Sequence, residues 1–366
     1  MTNETREIEQ VDGPKLLALK PPIQRAAYSD RTAWQMALLA ELAYIRFEKP
    51  PFEKLFDLSK ELAALSNAKA INKRLEALQS FFRTPDASDG EKRLKATLKA
   101  SGFELVGTFY NHSLDILANT EGYVAKWTGG NGREFAVLSI RGTTSPQDWI
   151  NNANIGLESI GGGRQVHKGF HKAYSDVEAD ISKLLKKVTG LPLYITGHSL
   201  GGAVAVIATW YQARDTLAAC YTFGSPRVGN HKFNDGFKTP IYRVVNSFDP
   251  VPLVPPTRHF ISILKFTCQI LSKFFLAGFF EVARDWLKTV QGYRHAGDLR
   301  HMTSGEMDDK GGYPTVKYYT HFGLIDRIER LWMLVSKAQL KRLDMYHNMT
   351  TYRRKLRYRA LERAPK

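Results

Sequence analysis

Leu193–Ala203 reads LYITGHSLGGA, and its reading decides the fold. A short apolar run, Leu193 to Thr196, meets Gly197-His198-Ser199-Leu200-Gly201, and small, helix-competent residues follow from Gly202 to Ala213. This is a G-x-S-x-G motif in the strand–turn–helix setting it needs. So tight a turn puts Ser199 at strained dihedrals and leaves no room for a Cβ at Gly197 or Gly201. It also lifts the serine hydroxyl to the positive N-terminal end of a helix. There a base reaches it, and the Leu200 backbone N–H faces a developing oxyanion.

Outward from this element the pattern repeats. Glu134–Ile140, Ala218–Phe223 and Ile241–Asn246 are apolar runs of strand length. An amphipathic helix with Tyr174, Val177, Ile181, Leu184 and Leu185 on one face precedes the central strand and stops at Gly190. Alternation of strand and helix predicts a mostly parallel sheet with helices on both faces. Upstream, Phe103–Tyr110, Asp115–Ala118 and Gly122–Trp127 read as strands, and Gly129-Gly130-Asn131-Gly132 as a hairpin turn. Before Gly102 the periodicity is helical. Ser29 or Asp30 caps a helix running to Ile45, a second spans Phe52 to Phe82, and a third, Lys92–Ala100, follows a polar break over Arg83–Glu91. The expected organisation is a helical N-terminal extension over 1–100, carrying no visible chemistry, and an α/β domain over 101–366 with an apolar insertion at about 257–290.

With 366 residues the chain is long enough for a large core. Its 52 Lys+Arg against 36 Asp+Glu give a formal charge of +16, which favours anionic surfaces such as acidic phospholipid. Nucleic acid is not expected, because no nucleic-acid fold signature accompanies the charge. Cys220 and Cys268, the two cysteines, imply no disulfide framework. Met1–Lys20 lacks an apolar h-region, so no signal peptide is read, and a cytoplasmic or peripheral-membrane location, or export by a signal-independent route, is the expectation.

The segments SIRGTTSPQDW, VHKGF, ITGHSLGGAVA, YTFGSPRVGN and YRVVNSFDPVPLVPP resemble, in order, successive blocks of the class 3 lipase family, of the fungal-lipase type within the α/β-hydrolase fold. The resemblance runs from about Thr108 to His347, roughly two-thirds of the chain. It implies a serine hydrolase acting on glycerolipid or phospholipid esters, with no cofactor and no metal.

Ser199 is then the nucleophile, and it needs a histidine base steadied by a carboxylate. The order along this fold is serine, acid, histidine. Asp249 directly follows the Ile241–Asn246 strand, where residues face the ligand crevice, and the resemblance places the triad acid there. His295, His301, His321 and His347 all lie beyond Asp249. The resemblance sets His295 in a block without the base and His347 in the terminal block that holds it, with His321 as the alternative. Thr143, after the Glu134–Ile140 strand, is expected to join Leu200 in the oxyanion hole. Arg141 and Asp148 are a candidate pair bracing that loop, and His198 and His167 read as scaffold.

His259–Leu287 is the most apolar stretch. Lys265, Gln269 and Lys273 form a polar stripe along it, which suits an amphipathic helix on a bilayer or a lid better than a span. The family resemblance implies a lid at about Ser145–Gly163 instead, hinged at Gly161-Gly162-Gly163. The basic C-terminal stretch, Arg353 to Arg363, reads either as a helix meeting anionic headgroups or as a solvated charged helix. A second reading of the whole is an inactive membrane-docking module on a hydrolase scaffold.

Overall fold

The computed structural model describes residues 27–45, 87–111, 120–128, 134–142, 156–255, 292–308, 312–322 and 346–362. The Asp115–Ala118 strand, the Gly129–Gly132 turn, the Phe52–Phe82 helix and the apolar insertion lie outside them.

An eight-stranded sheet carries the fold, in the order β1 (Phe103–Asn111), β2 (Thr120–Trp127), β3 (Phe135–Ile140), β6 (Leu193–His198), β7 (Leu217–Phe223), β8 (Ile241–Asn246), β9 (Asp298–Met302), β10 (Tyr318–Tyr319). Pairing is parallel from β3 through β9 and antiparallel at both edges. Strands β3 and β6 are buried along their whole length, which explains why they read as continuous apolar runs.

Alternate residues feed two cores. On β6, Leu193 and Ile195 point to one and Tyr194 to the other; on β3, Ala136 and Leu138 oppose Phe135 and Val137. The first core is closed by α3 (Lys168–Ser175), α4 (Glu178–Lys186) and α5 (Leu200–Tyr211), with Phe233 of the short α6 (His231–Asn234) filling in beside them. The expected single Tyr174–Leu185 helix is thus two, parted at Asp176-Val177.

The second core is closed by α1 (Asp30–Leu42), α2 (Ala87–Ala100) and α7 (Met349–Glu362). Ser29 caps α1 by accepting from the Thr32 N–H at 3.3 Å. At its other end the helix leaves carbonyls without intrahelical donors. Hydroxyls on the sheet supply them: Tyr123 Oη (2.7 Å) and Ser139 Oγ (3.0 Å) both donate to the Leu39 carbonyl. α1 therefore lies on the central strands, in one core with them. α2 begins at Ala87, inside the stretch read as a polar break.

Gly161-Gly162-Gly163 has φ of +92°, +60° and +73° and makes the turn of a two-stranded ribbon, β4 (Leu157–Ser159) with β5 (Gln165–His167), while most of the Ser145–Gly163 lid candidate lies outside the described residues. One expectation is corrected here. The basic C-terminal helix, α7, is packed into the core: Arg353 and Lys355 are buried and meet protein partners. Simple solvation does not describe it; Arg354, Arg357 and Arg359 are half-buried.

Candidate active site

The elbow forms as its glycines require. Ser199 sits at φ +57°, ψ −128°, between β6 and α5. A Cβ on Gly197 would strike the Gly201 backbone, and one on Gly201 would strike the Ile140 carbonyl. The Ser199 N–H donates to the Phe223 carbonyl at 2.9 Å, which ties the turn to β7. Ser247, after β8, has φ +41°; it and Ser199 are the two non-glycine residues with positive φ among the described residues. Both flank the site, where such strain is held by the surrounding packing.

Asp249 follows β8 as expected and is fully buried. Its Oδ1 accepts the Val251 N–H at 2.9 Å. Its Oδ2 accepts His347 Nδ1–H at 2.8 Å and Tyr352 Oη–H at 2.6 Å. Tyr352 Oη accepts in turn from the Asn246 N–H at 2.9 Å, so the phenol proton is aimed at the carboxylate. Three donors thus fix the carboxylate plane, and the imidazole leaves Nε2 as its free acceptor. Ser199 Oγ and His347 Nε2 are both buried, and neither has a hydrogen-bond partner among the described residues. The His347 ring lies 4.5 Å, centroid to centroid, from that of His198, the residue before Ser199.

The other histidines go elsewhere. His321 is exposed beside Tyr319. His295 Nε2 donates to the Pro252 carbonyl at 2.7 Å, and buried His301 packs on Phe322 at 4.8 Å. The structure therefore brings His347, not His321, to Asp249. His167 caps α3 by accepting the Gly169 and Phe170 N–H groups at Nδ1, and burial pushes its pKa down to about 4. Leu200 is the first residue of α5. Thr143 and Asp148 lie outside the described residues. Arg141 is ion-paired with buried Glu121 on β2.

Sequence reasoning missed Tyr352 as a partner of Asp249. Its one sequence signal was proximity to His347, five positions on. Tyr44, whose Oη lies 2.7 Å from His198 Nδ1, was missed too, and no sequence signal marks it.

Residues 137–259 match the family profile described as Lipase (class 3). That segment belongs to the class 3 lipase family. A secreted mono- and diacylglycerol lipase 1 of Fusarium solani is 40% identical over 136 residues, covering 34% of this chain and 41% of the relative. A phospholipase A(1) DAD1, chloroplastic, of Arabidopsis thaliana is 32% identical over 154 residues, covering 34% of each. The chain thus spans about two fifths or less of the length of these curated relatives. Lipase II from Rhizopus niveus, a solved structure, superposes with a TM-score of 0.44 at 23% identity, over 74% of this chain and 86% of that one.

Proposed function

We propose that this protein is a serine hydrolase that cleaves carboxylic esters of glycerolipids, acylglycerol or phospholipid, through an acyl-enzyme at a lipid surface. The observation that carries the proposal is the buried Asp249–His347 hydrogen bond of 2.8 Å beside a serine held at positive φ.

Ser199 Oγ attacks the ester carbonyl while His347 Nε2 takes its proton. Asp249 holds the Nδ1 proton in place, so Nε2 is the basic nitrogen, and it steadies the imidazolium that forms. The tetrahedral oxyanion is held by the Leu200 N–H at the start of α5, with Thr143 as the second donor. Collapse passes the Nε2 proton to the departing glycerol oxygen and leaves an acyl-Ser199 ester. Water, deprotonated by the same nitrogen, then attacks that ester and frees the fatty acid. Every proton in this cycle moves through His347, and no cofactor or metal is called on.

The names of the Fusarium and Arabidopsis relatives support glycerolipid as the substrate class. The charge of +16 and the apolar 257–290 segment support work at an anionic lipid surface, peripheral rather than spanning.

Ser199→Ala tests the reading. The variant is expected to fold, to lose labelling by a fluorophosphonate probe, and to release no fatty acid from glycerolipid vesicles. Labelling that persists places the nucleophile elsewhere and overturns the mechanism. Wild-type protein that binds vesicles yet neither labels nor turns over ester is the docking module instead.

A further inference from the structure

We infer that Tyr44 and His198 form a positioning relay that holds the His347 loop and the end of β3 in register with Ser199. The inference rests on the triad proposed above.

Tyr44 stands just beyond α1, outside the segment that matches the lipase profile. Its Oη lies 2.7 Å from His198 Nδ1. On the far side of the same ring, His198 Nε2 lies 2.8 Å from the His347 backbone carbonyl. These two contacts fix the proton positions. A carbonyl can only accept, so Nε2 carries the hydrogen. Nδ1 is then the bare nitrogen, and Tyr44 O–H donates to it. The Tyr44 oxygen keeps its lone pairs on the side where the Gly142 backbone packs against it. A Cβ on Gly142 would stand 2.5 Å from Tyr44 Oη and 3.1 Å from Ser199 Cβ, so this backbone, the phenol and the nucleophile meet at one point.

The chain of bonds therefore runs from Tyr44 to His198 to the carbonyl of His347, with the Gly142 backbone packed against the phenol. It ties the elbow to the turn before α7 and sets the phenol against the start of the loop leaving β3. Gly142 directly precedes Thr143, the expected second oxyanion donor. The Arg141 guanidinium, paired with Glu121, lies over the Tyr44 ring at 5.8 Å and steadies it.

His198 does not act as a base. Both ring nitrogens are engaged, and burial, with His347 alongside, holds its pKa well below the ordinary histidine range. A neutral imidazole with a donor at one end and an acceptor at the other is a spacer of fixed length and polarity. It acts through His347, whose displacement by about 1 Å is enough to cost ~100-fold in rate.

The first test uses Tyr44→Phe, which keeps the ring and removes the hydroxyl. In protein that retains wild-type circular dichroism, kcat for ester hydrolysis is expected to fall more than threefold with KM within twofold, and fluorophosphonate labelling to slow in proportion. A loss of thermal stability with kcat inside that limit is a structural role only and overturns the inference.

The second test needs no variant. In wild-type protein labelled with ¹⁵N-histidine, the His198 ring is expected to show a protonated Nε2 and a bare Nδ1 from pH 5 to 9. The opposite tautomer, or titration within that range, overturns the relay even if Tyr44→Phe fails to fold. The two failures separate cleanly. Wild-type protein without fluorophosphonate labelling sinks the triad and leaves the tautomer readable. Wild-type labelling with a Tyr44→Phe variant that labels as fast sinks the relay alone.

Discussion

The two faces of the sheet are built from different materials. Under α3, α4 and α5 the core is mostly apolar: Phe170, Ile181, Ala203, Val204 and Ile207 meet Leu138 and Ile195, and the buried hydroxyls of Thr120 and Thr209 are spent on helix carbonyls. Under α1 and α7 the aliphatic packing is threaded with polar groups. Glu41 meets Arg353 Nε and accepts Thr350 Oγ1–H at 2.6 Å. Lys355 Nζ donates to Asn246 Oδ1 at 2.7 Å and to the Thr303 carbonyl at 2.9 Å. Asn246 Nδ2 donates in turn to the carbonyl of Tyr346, next to His347. The division follows the chemistry each face supports. Ser199 is placed by a backbone turn, which needs only volume filled beneath its helix. His347 and Asp249 come from distant loops, and directional bonds in a low dielectric fix such loops better than apolar contact does. The carbon face should therefore set stability alone, and the polar face both stability and turnover.

The largest expected effect comes from Glu41→Ala. It leaves the wholly buried Arg353 without the carboxylate it faces. Removing one partner of a buried ion pair costs about 3–5 kcal/mol, because the other charge stays out of water. Denaturant unfolding should show that loss, and residual activity per folded molecule should fall as α7 shifts His347. A loss below about 1 kcal/mol would mean that the pair is hydrated and the polar face is not the rigid frame described.

Lys355 sharpens the comparison through pH. Burial pushes its pKa down to about 8. The unfolded chain holds the proton up to an ordinary lysine pKa of about 10.4. Between those values the unfolded state binds more protons, so this group makes stability rise as pH rises. Below the folded value the cost of burying the charge is fully present. The slope cannot exceed about 1.4 kcal/mol per pH unit for one proton. Subtracting Lys355→Met from wild type isolates it: the difference should move in favour of wild type from pH 8 to 10. A flat difference would show that the amide and carbonyl around Nζ hold the proton as firmly as water does.

What was legible in the sequence follows the same division. Elements whose cause is local were readable. The elbow needs its glycines, β8 came out as Ile241–Asn246, and Asp249 follows it by chain order. Elements whose cause is a distant partner were not. The charges of α7 argued for a surface, because Arg353 finds Glu41 more than three hundred residues away. α1 showed helical period, but it is buried nearly all round, and no local signal says that it lies on the central strands. Four histidines satisfied the order rule, and resemblance alone favoured His347; the Asp249 contact that separates it from His321 is tertiary. For Arg141 the sequence offered nearby Asp148, which lies outside the described residues; Glu121, which it does meet, lies across the strand ladder on β2.

The smallest expected effect belongs to the carbon face. Ile207 is fully buried on α5, within the apolar cluster beneath that helix. Ile207→Val removes one methylene, which typically costs about 0.5–1.5 kcal/mol through lost burial and an imperfectly closed cavity. The elbow should not register the change. Its geometry is set by backbone contact between Gly197 and Gly201 and by the Ser199 N–H bond to Phe223, a full turn or more from Ile207. Thermal unfolding should therefore show the loss while kcat stays within twofold of wild type. If kcat drops tenfold with stability barely altered, packing beneath α5 sets the reach of Ser199, and the two faces do not divide the labour by chemistry.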